Sequence, residues 1–362
     1  MPDLPQYPPE VEAHIAVLGT RKSSTCLERI GMGFCGSVWA EHVPELVPDE
    51  AETNAASTIA MKRGDGGPGR SLTNEYQVHK RILQKLGVET LHMPFSIPSC
   101  YAFLDEKANH WSEILPRLPA RSTACNAIIS EKISPMPRAV RRILAEKYFR
   151  GSKEKIDAIM ADVKNHHCLV RPYLGRRRHR QTQDARPRQH TFFSLRNFPL
   201  HIDQIEELGL AIEEYAECMA DALAFLHWRV GIDANDVEFV LAAPRSSSDT
   251  DNGPTTFDSG ALGRHSIWVL DFDCCGDLPL DESGVDIAAR AFWRNDPYYP
   301  RPGSAHPADE RLWVLFRTRF LETSQLMLSG NDSTTARLPE MLMDRIVETR
   351  GVYAKGIPAD SR

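Results

Sequence analysis

The chain has no run of about 18 or more apolar residues, the length a helix needs to cross a bilayer, so no membrane-spanning helix and no membrane partner are expected. Its first residues, Met1, Pro2, Asp3, Leu4 and Pro5, provide neither a basic nor an apolar segment, so no secretory signal is expected. The eight cysteines contain no C-x-x-C pair, although Cys274 and Cys275 are adjacent. That spacing argues for reduced thiols in a cytoplasmic or nuclear protein, not for a disulfide framework. Positive charge is not in excess: 43 Lys and Arg stand against 49 Asp and Glu, a net charge of −6. A protein that coats nucleic acid through summed charge is therefore not expected. No internal repeat is visible. What is present, 42% apolar and 25% charged residues over 362 positions, suits a soluble globular protein of two lobes.

Residues 1–12 hold four prolines and read as a tail. From Leu27 to Val38 apolar residues are punctuated by glycines, and residues 42–57 read as a surface loop. Ile59, Ala60 and Met61 form a short strand-like run ending at Lys62. Leu72, Tyr76, His79, Leu83 and Leu86 then recur at helical spacing, with Glu75 near the same face. Ile128 and Ile129 predict a strand running into a connector. Beyond it the pattern is mainly helical, with a long helix from Leu208 to Leu226 and a strand pair at 239–241 and 267–270. Later helices are expected around 312–328 and 338–347. The expected division is a tail at 1–12, a small lobe at 13–130, a larger lobe at 131–350 with inserts near 136–190 and 244–264, and a tail at 351–362.

The sharpest local signal is residues 31–38, which fit G-x-G-x-x-G-x-V through Gly31, Gly33, Gly36 and Val38. Glycines allow a hairpin to fold closely over phosphates, because a Cβ would keep backbone amides away from them. A dinucleotide-binding turn would open directly into a helix, whereas Ser37-Val38-Trp39-Ala40 reads as strand. Lys62 ends a strand in A-M-K and can reach phosphates as a point charge, with Glu75 on the following helix to hold it. Glu131 and Ile133 lie in the connector, whose backbone would hydrogen-bond adenine. Asp233 and Glu238 have D-x-x-x-x-N spacing, with Asp236 a competitor for either role. Asp271 follows a buried-strand pattern, where a carboxylate suits a hard cation such as Mg²⁺ or Mn²⁺. Singly, each has an ordinary reading: a surface lysine, a turn aspartate, a glycine turn. Their shared order makes coincidence the weaker explanation.

At these residues the sequence resembles the protein-kinase-like superfamily. It is similar, more closely, to a fungal family of kinase-like proteins that carry a zinc-finger label and bring no established reaction with them. The closer match rests on Cys168-Leu169-Val170-Arg171-Pro172-Tyr173-Leu174-Gly175, on Ser194-Leu195-Arg196-Asn197-Phe198-Pro199-Leu200, on residues 227–241, and on Arg294-Asn295-Asp296-Pro297-Tyr298-Tyr299-Pro300-Arg301-Pro302. The resemblance implies an α+β, bilobal protein-kinase-like fold. It further implies ATP with Mg²⁺ or Mn²⁺ as cofactors, Lys62, Glu75 and Asp233 as catalytic residues, and Asp271 with Glu238 as metal ligands. The acceptor would be a small molecule or a protein.

Three departures stand out. Gly231-Ile232-Asp233 replaces H-R-D, Asp273 replaces the glycine of D-F-G, and Glu238 replaces asparagine. A-P-E is missing. These changes weigh against protein phosphorylation under activation-loop control. They leave open a pseudokinase scaffold, or an enzyme repurposed for nucleotidyl transfer or carboxylate activation. The cluster His166-His167-Cys168 lacks the paired spacing of structural zinc, and Cys168 reads as a small buried residue. The Arg-rich stretch 176–188 has no interleaved aromatics, so a solvated loop is expected there and a nucleic-acid partner is not.

Overall fold

The computed structural model describes residues 7–19, 26–42, 58–67, 71–178, 193–245 and 253–352. Most of the 42–57 loop, the Arg-rich stretch after Arg178, part of the 244–264 insert and the last ten residues lie outside the described residues. The chain is α+β and divides into two units, Met1–Leu83 with Pro98–Ser134 and Gln84–Ile97 with Pro135–Arg362.

In the first unit, helix α1 (Pro9–Gly19) precedes strands β1 (Leu27–Met32), β2 (Ser37–Glu41) and β3 (Ile59–Arg63). Helix α2 (Leu72–Gly87), strand β4 (Cys100–Leu104), the short helix α3 (Trp111–Ile114) and strand β5 (Ala127–Glu131) follow. The sheet runs β1-β2-β3-β5-β4 and is antiparallel throughout. Alternation along β5 explains its two faces. Ala127 and Ile129 point into a core shared with Ile15, Leu18 and Trp111, whereas Ile128 points into a smaller one with Cys35, Leu72 and Cys100. Helix α2 buries Leu72, Glu75, Val78, His79 and Ile82, a stripe at helical spacing, and the Ser71 hydroxyl accepts from the Asn74 amide at its start. The expected tail at 1–12 is corrected by α1, which starts at Pro9. Proline is tolerated in a first helical turn because no amide partner is needed there.

In the second unit come α4 (Arg138–Tyr148), α5 (Lys153–Ala161), β6 (Val170–Tyr173), β7 (Phe198–His201), α6 (Ile202–Glu207) and α7 (Ile212–Ala224). They are followed by β8 (Glu238–Ala242), β9 (Phe257–Ser259), β10 (Gly263–Leu270), α8 (Glu282–Arg294), α9 (Pro307–Met327) and α10 (Leu338–Glu348). The strand pair expected in a helical lobe is part of a five-stranded sheet, β7-β6-β8-β10-β9, in which β6 and β7 are parallel. Strands of four residues such as β6 and β7 are too short to show a period. The long helix expected from Leu208 is broken at Gly209, whose φ of 64° is left-handed, and α7 begins at Ile212. It ends in a π-helical turn, Phe225–Val230, closed by Gly231 at φ 74°. Helices α7 and α9 are joined by Asp221, 2% exposed, which accepts both Nε and an Nη of Arg319 at 2.8 Å. No helix among the described residues is long and apolar enough to cross a membrane.

Candidate functional site

In the first unit, β3 carries Lys62 between two buried neighbours, Met61 and Arg63. Pleating sends Lys62 to the sheet face opposite Met61, where α2 packs, and its Nζ meets Glu75 at 2.8 Å. Val38 is the cross-strand neighbour of Lys62 on β2, and Ile128 its neighbour on β5. Glu75 is only 6% exposed, so its charge is compensated by the lysine and not by bulk water. The β1–β2 hairpin holds Gly31, Gly33 and Gly36, with the Gly33 amide donating to the Gly36 carbonyl at 2.9 Å. Gly36, at φ 151°, could not be replaced: a Cβ there would lie 1.9 Å from the Arg63 carbonyl oxygen. That close approach fits the hairpin to the end of β3. Asp65 completes the fit, accepting from the Ser37 amide at 2.8 Å and bonding Arg63 at 3.0 Å. At the tip, Met32 and Phe34 are exposed. In the connector, the Glu131 amide donates to Ser99 and its carboxylate accepts from the Ser99 amide at 2.9 Å; Ile133 is half-buried.

In the second unit, the turn after Gly231 is cross-tied to residues 274–278. Asp233 Oδ1 accepts from the amides of Asn235 (3.0 Å) and Gly276 (2.9 Å). The Asp233 amide donates to the Gly276 carbonyl at 3.0 Å. Burial raises the Asp233 carboxyl above its usual range, against the opposing pull of these backbone donors. Asn295, 4% exposed, accepts from the Asp236 amide at 2.6 Å and donates to the Ala234 carbonyl at 3.0 Å. Ala234, Asp236 and Asp271 all adopt left-handed backbone, with φ of 52°, 62° and 65°. Such conformations cost energy and persist where the surroundings enforce them. Buried beside the turn's start, His227 touches Trp228 and Phe320, and burial lowers its imidazole to about 3.

Glu238 opens β8, opposite Leu270 in the register, so the sheet sets it near the strand end that leads to Asp271. Both of its oxygens are engaged by one Nη of Arg171 from β6, at 2.5 Å. Asp296 lies 3.7 Å from the other Nη and accepts from the Tyr173 hydroxyl at 2.6 Å. Burial, with Asp271, Asp296 and Asp236 nearby, pushes the Glu238 carboxyl up, while Arg171 pulls it down. Among the described residues, Asp236, Asp273 and Cys274 form the gathering of three metal-type donors, their ligand atoms within 4.8 Å of one another.

The first unit thus brings together the glycine hairpin, Val38, Lys62 and Glu75. The second brings together Asp233, Asp236, Glu238 and Asp271. Sequence reasoning missed the roles of Asp65, Arg171 and Asn295. Arg171 and Asn295 sit inside segments that carry the family resemblance, which was a usable signal; Asp65 follows a glycine and offered none. Cys168 is fully buried and its thiol is pushed up to about 12, as a small core residue requires.

A family model described as zinc finger protein matches residues 267–332, from β10 through α8 and α9. No curated protein matches the chain. The matched stretch contains Cys274, Cys275 and His306 as Cys or His donors. Cys275 is buried with its thiol raised well above the usual value, and His306 faces Asp309 at 3.5 Å. A four-donor Cys/His centre is absent among the described residues.

Proposed function

We propose that the protein is a kinase-like phosphotransferase that uses ATP with Mg²⁺ or Mn²⁺. The reading is carried by the Lys62–Glu75 ion pair, which joins the strand after a glycine hairpin to the next helix. Protein kinases use such a pair on their third strand and following helix to hold a lysine for phosphate contact. The donor chemistry fits the nucleotide: a glycine hairpin with open space beside Gly33, and an amine whose charge Glu75 steadies. Of the two connector residues, Ile133 would present backbone to the base, since the Glu131 amide already donates to Ser99. Asp233, with its carboxyl raised by burial, is suited to accept the proton of an acceptor hydroxyl. Asp271 would hold the cation, with Glu238 contributing through the lone pairs that Arg171 leaves unused. The cation supplies charge neutralisation on phosphate oxygens.

A second reading, a nucleotide-binding scaffold without transfer, is favoured by two observations. The Ser37 amide is already given to Asp65, and both Glu238 oxygens are engaged by Arg171. The experiment is a thermal shift of the full chain with ATP and Mg²⁺ or Mn²⁺, followed by product analysis. Metal-dependent stabilisation lost in Lys62→Met and in Asp271→Asn, with ADP formed, is expected. No stabilisation overturns the proposal. Stabilisation without product selects the scaffold, and AMP or pyrophosphate selects nucleotidyl transfer or carboxylate activation.

A further inference from the structure

We infer that Arg176 and Arg301 together form an oxyanion site, suited to a phosphoryl group carried as free phosphate or as a phosphate monoester. Two of the segments that carry the family resemblance meet here. The Leu174 amide donates to the Tyr298 carbonyl at 3.0 Å, and the Gly175 amide to the Pro297 carbonyl at 2.8 Å. A Cβ at Gly175 would collide with the Tyr299 carbonyl oxygen and press on the Arg301 stem, so this glycine lets the segments close. From that junction the chain delivers Arg176 on one side and Arg301 on the other. The Arg176 carbonyl accepts from the Ile202 amide at 3.2 Å, which ties its backbone to the start of α6. The frame is therefore built before any ligand arrives, which lowers the ordering cost of binding.

Each guanidinium rests near an aromatic ring and keeps donors for a ligand. Arg301 lies 5.4 Å from the Trp293 ring centroid and gives one Nη to the Asn295 carbonyl at 3.1 Å. Arg176 is exposed and lies 6.0 Å from the Tyr173 ring centroid. The arginines that follow it are satisfied: Arg177 meets Glu206 and Asp309, and Arg178 meets Asp203. Arg176 meets no carboxylate among the described residues. Burial, then the Arg176 charge, lower the Arg301 guanidinium to about 10, while Asp296 pulls the other way less strongly. Asp296 is already shared with Tyr173 and Arg171. Two like charges close enough to repel, one of them half-buried, carry a cost that an anion between them would offset. A guanidinium fork binds phosphate through paired N–H bonds. A phosphoryl group, with three acceptor oxygens and roughly two negative charges near neutral pH, can take two such forks at once. The inference stands apart from phosphotransfer, because it needs neither ATP nor metal.

The test titrates the full chain, free of metal and nucleotide, with inorganic phosphate and reads Tm against chloride at matched ionic strength. A saturating rise in Tm is expected with phosphate and not with chloride. Arg176→Gln should raise the half-saturating phosphate concentration by roughly tenfold or more, and Arg301→Lys, which keeps the charge but loses the fork, by less. Arg176 is exposed, so its variant stays folded and keeps the test decisive if Arg301→Lys is unstable. Without phosphate, Arg176→Gln should match or exceed the wild-type Tm, because the repulsion on Arg301 is gone. Arg317→Gln, at an arginine paired with Asp344, should respond to phosphate as the wild type does. Phenyl phosphate separates the two sources: tighter binding than inorganic phosphate assigns a monoester, and equal or weaker binding assigns the free anion. Three results would each overturn the inference: no saturating response in the wild type, a response that survives Arg176→Gln, or one that Arg317→Gln weakens equally. Loss of stability in Arg176→Gln without phosphate would also overturn it, by making that arginine structural. None of these results touches the ATP thermal shift, so the two proposals fail separately.

Discussion

Two ion pairs, one in each unit, show how the same opposite charges serve different ends. Lys62 and Glu75 join β3 to α2 with one compact ammonium and one carboxylate, 2.8 Å apart. An ammonium has three rotatable donors, so a second anion can share it without breaking the first contact. In the other pair one Nη of Arg171 spans both oxygens of Glu238, while its second Nη lies 3.7 Å from Asp296. That contact is charge-assisted and engages both carboxylate oxygens at once. The first pair is therefore a compact point contact, and the second neutralises acids crowded around the strand end before Asp271.

The largest effect should come from breaking the second pair. Arg171→Met leaves half-buried Glu238 among Asp236, Asp271 and Asp296 with its cation gone, and the crowding of like charges makes about 3 kcal/mol, the lower end for a buried pair, the expected cost. A fall in Tm of roughly 6–12 °C is expected for a unit of this size. The double variant Arg171→Met with Glu238→Leu should recover most of it; if it does not, the cost lies in packing and not in stranded charge.

Acid stability should separate the units next. His227 is lowered to about 3 and His79 to about 4, both chiefly by burial. For a base with a depressed folded value, the stabilisation is complete above the ordinary value near 6.5 and is lost as pH falls through the folded value. Each histidine contributes a slope of about 1.4 kcal/mol per pH unit inside its window. Replacing His227 by Leu should flatten the stability profile of the second unit between about pH 6.5 and 3. A profile of unchanged steepness would mean that another group carries the acid sensitivity.

Breaking the first pair should cost less. Lys62→Met leaves Glu75 buried, for which about 1–3 kcal/mol is expected, read as a modest drop in Tm. Lys62→Arg should keep the fold while changing any ATP-dependent shift, because a planar fork cannot replace a point charge. Equal losses for Lys62→Met and Arg171→Met would dissolve the contrast between the pairs.

The smallest effect concerns Asp233. Its carboxyl is raised, so the stability it contributes is present below its unfolded value and is lost as pH rises through its folded value. Asp233→Asn, which can still accept from Asn235 and Gly276, should equal or slightly exceed the wild type at pH 7. The advantage should fade toward pH 4. A variant destabilised at neutral pH would show that the ionised form is structurally required.

Much of the first unit was legible because its signals are local. Leu72, Tyr76, His79, Leu83 and Leu86 recur at the period of a helix, although the face that α2 buries is Leu72, Glu75, Val78, His79 and Ile82. Ile59 to Met61 read as strand through their run of buried side chains, and the glycines of the hairpin mark a turn whatever lies beyond it. The second unit was less legible. Strands β6 and β7 are four residues each and pair in parallel, a partnership that no short-range pattern announces. Gly209 was readable as a breaker, yet the apolar spacing from Leu208 through Ile212 and Tyr215 suggested one continuous helix.

By itself the sequence determined the strands around the glycine hairpin and Lys62, the helix that carries Glu75 and the strand pair of the second unit. It also determined that no run is long and apolar enough to cross a membrane, and that an amine, several acids and a glycine hairpin occur in a set order. Only the tertiary structure decided who meets whom. Arg171 reaches Glu238 across 67 residues, Asp65 takes the Ser37 amide, and Asp236 comes beside Asp273 and Cys274. Periodicity and turn chemistry act over a few residues and are written into composition, whereas a side chain's charge partner depends on how sheet register and backbone strain deliver distant segments to one place.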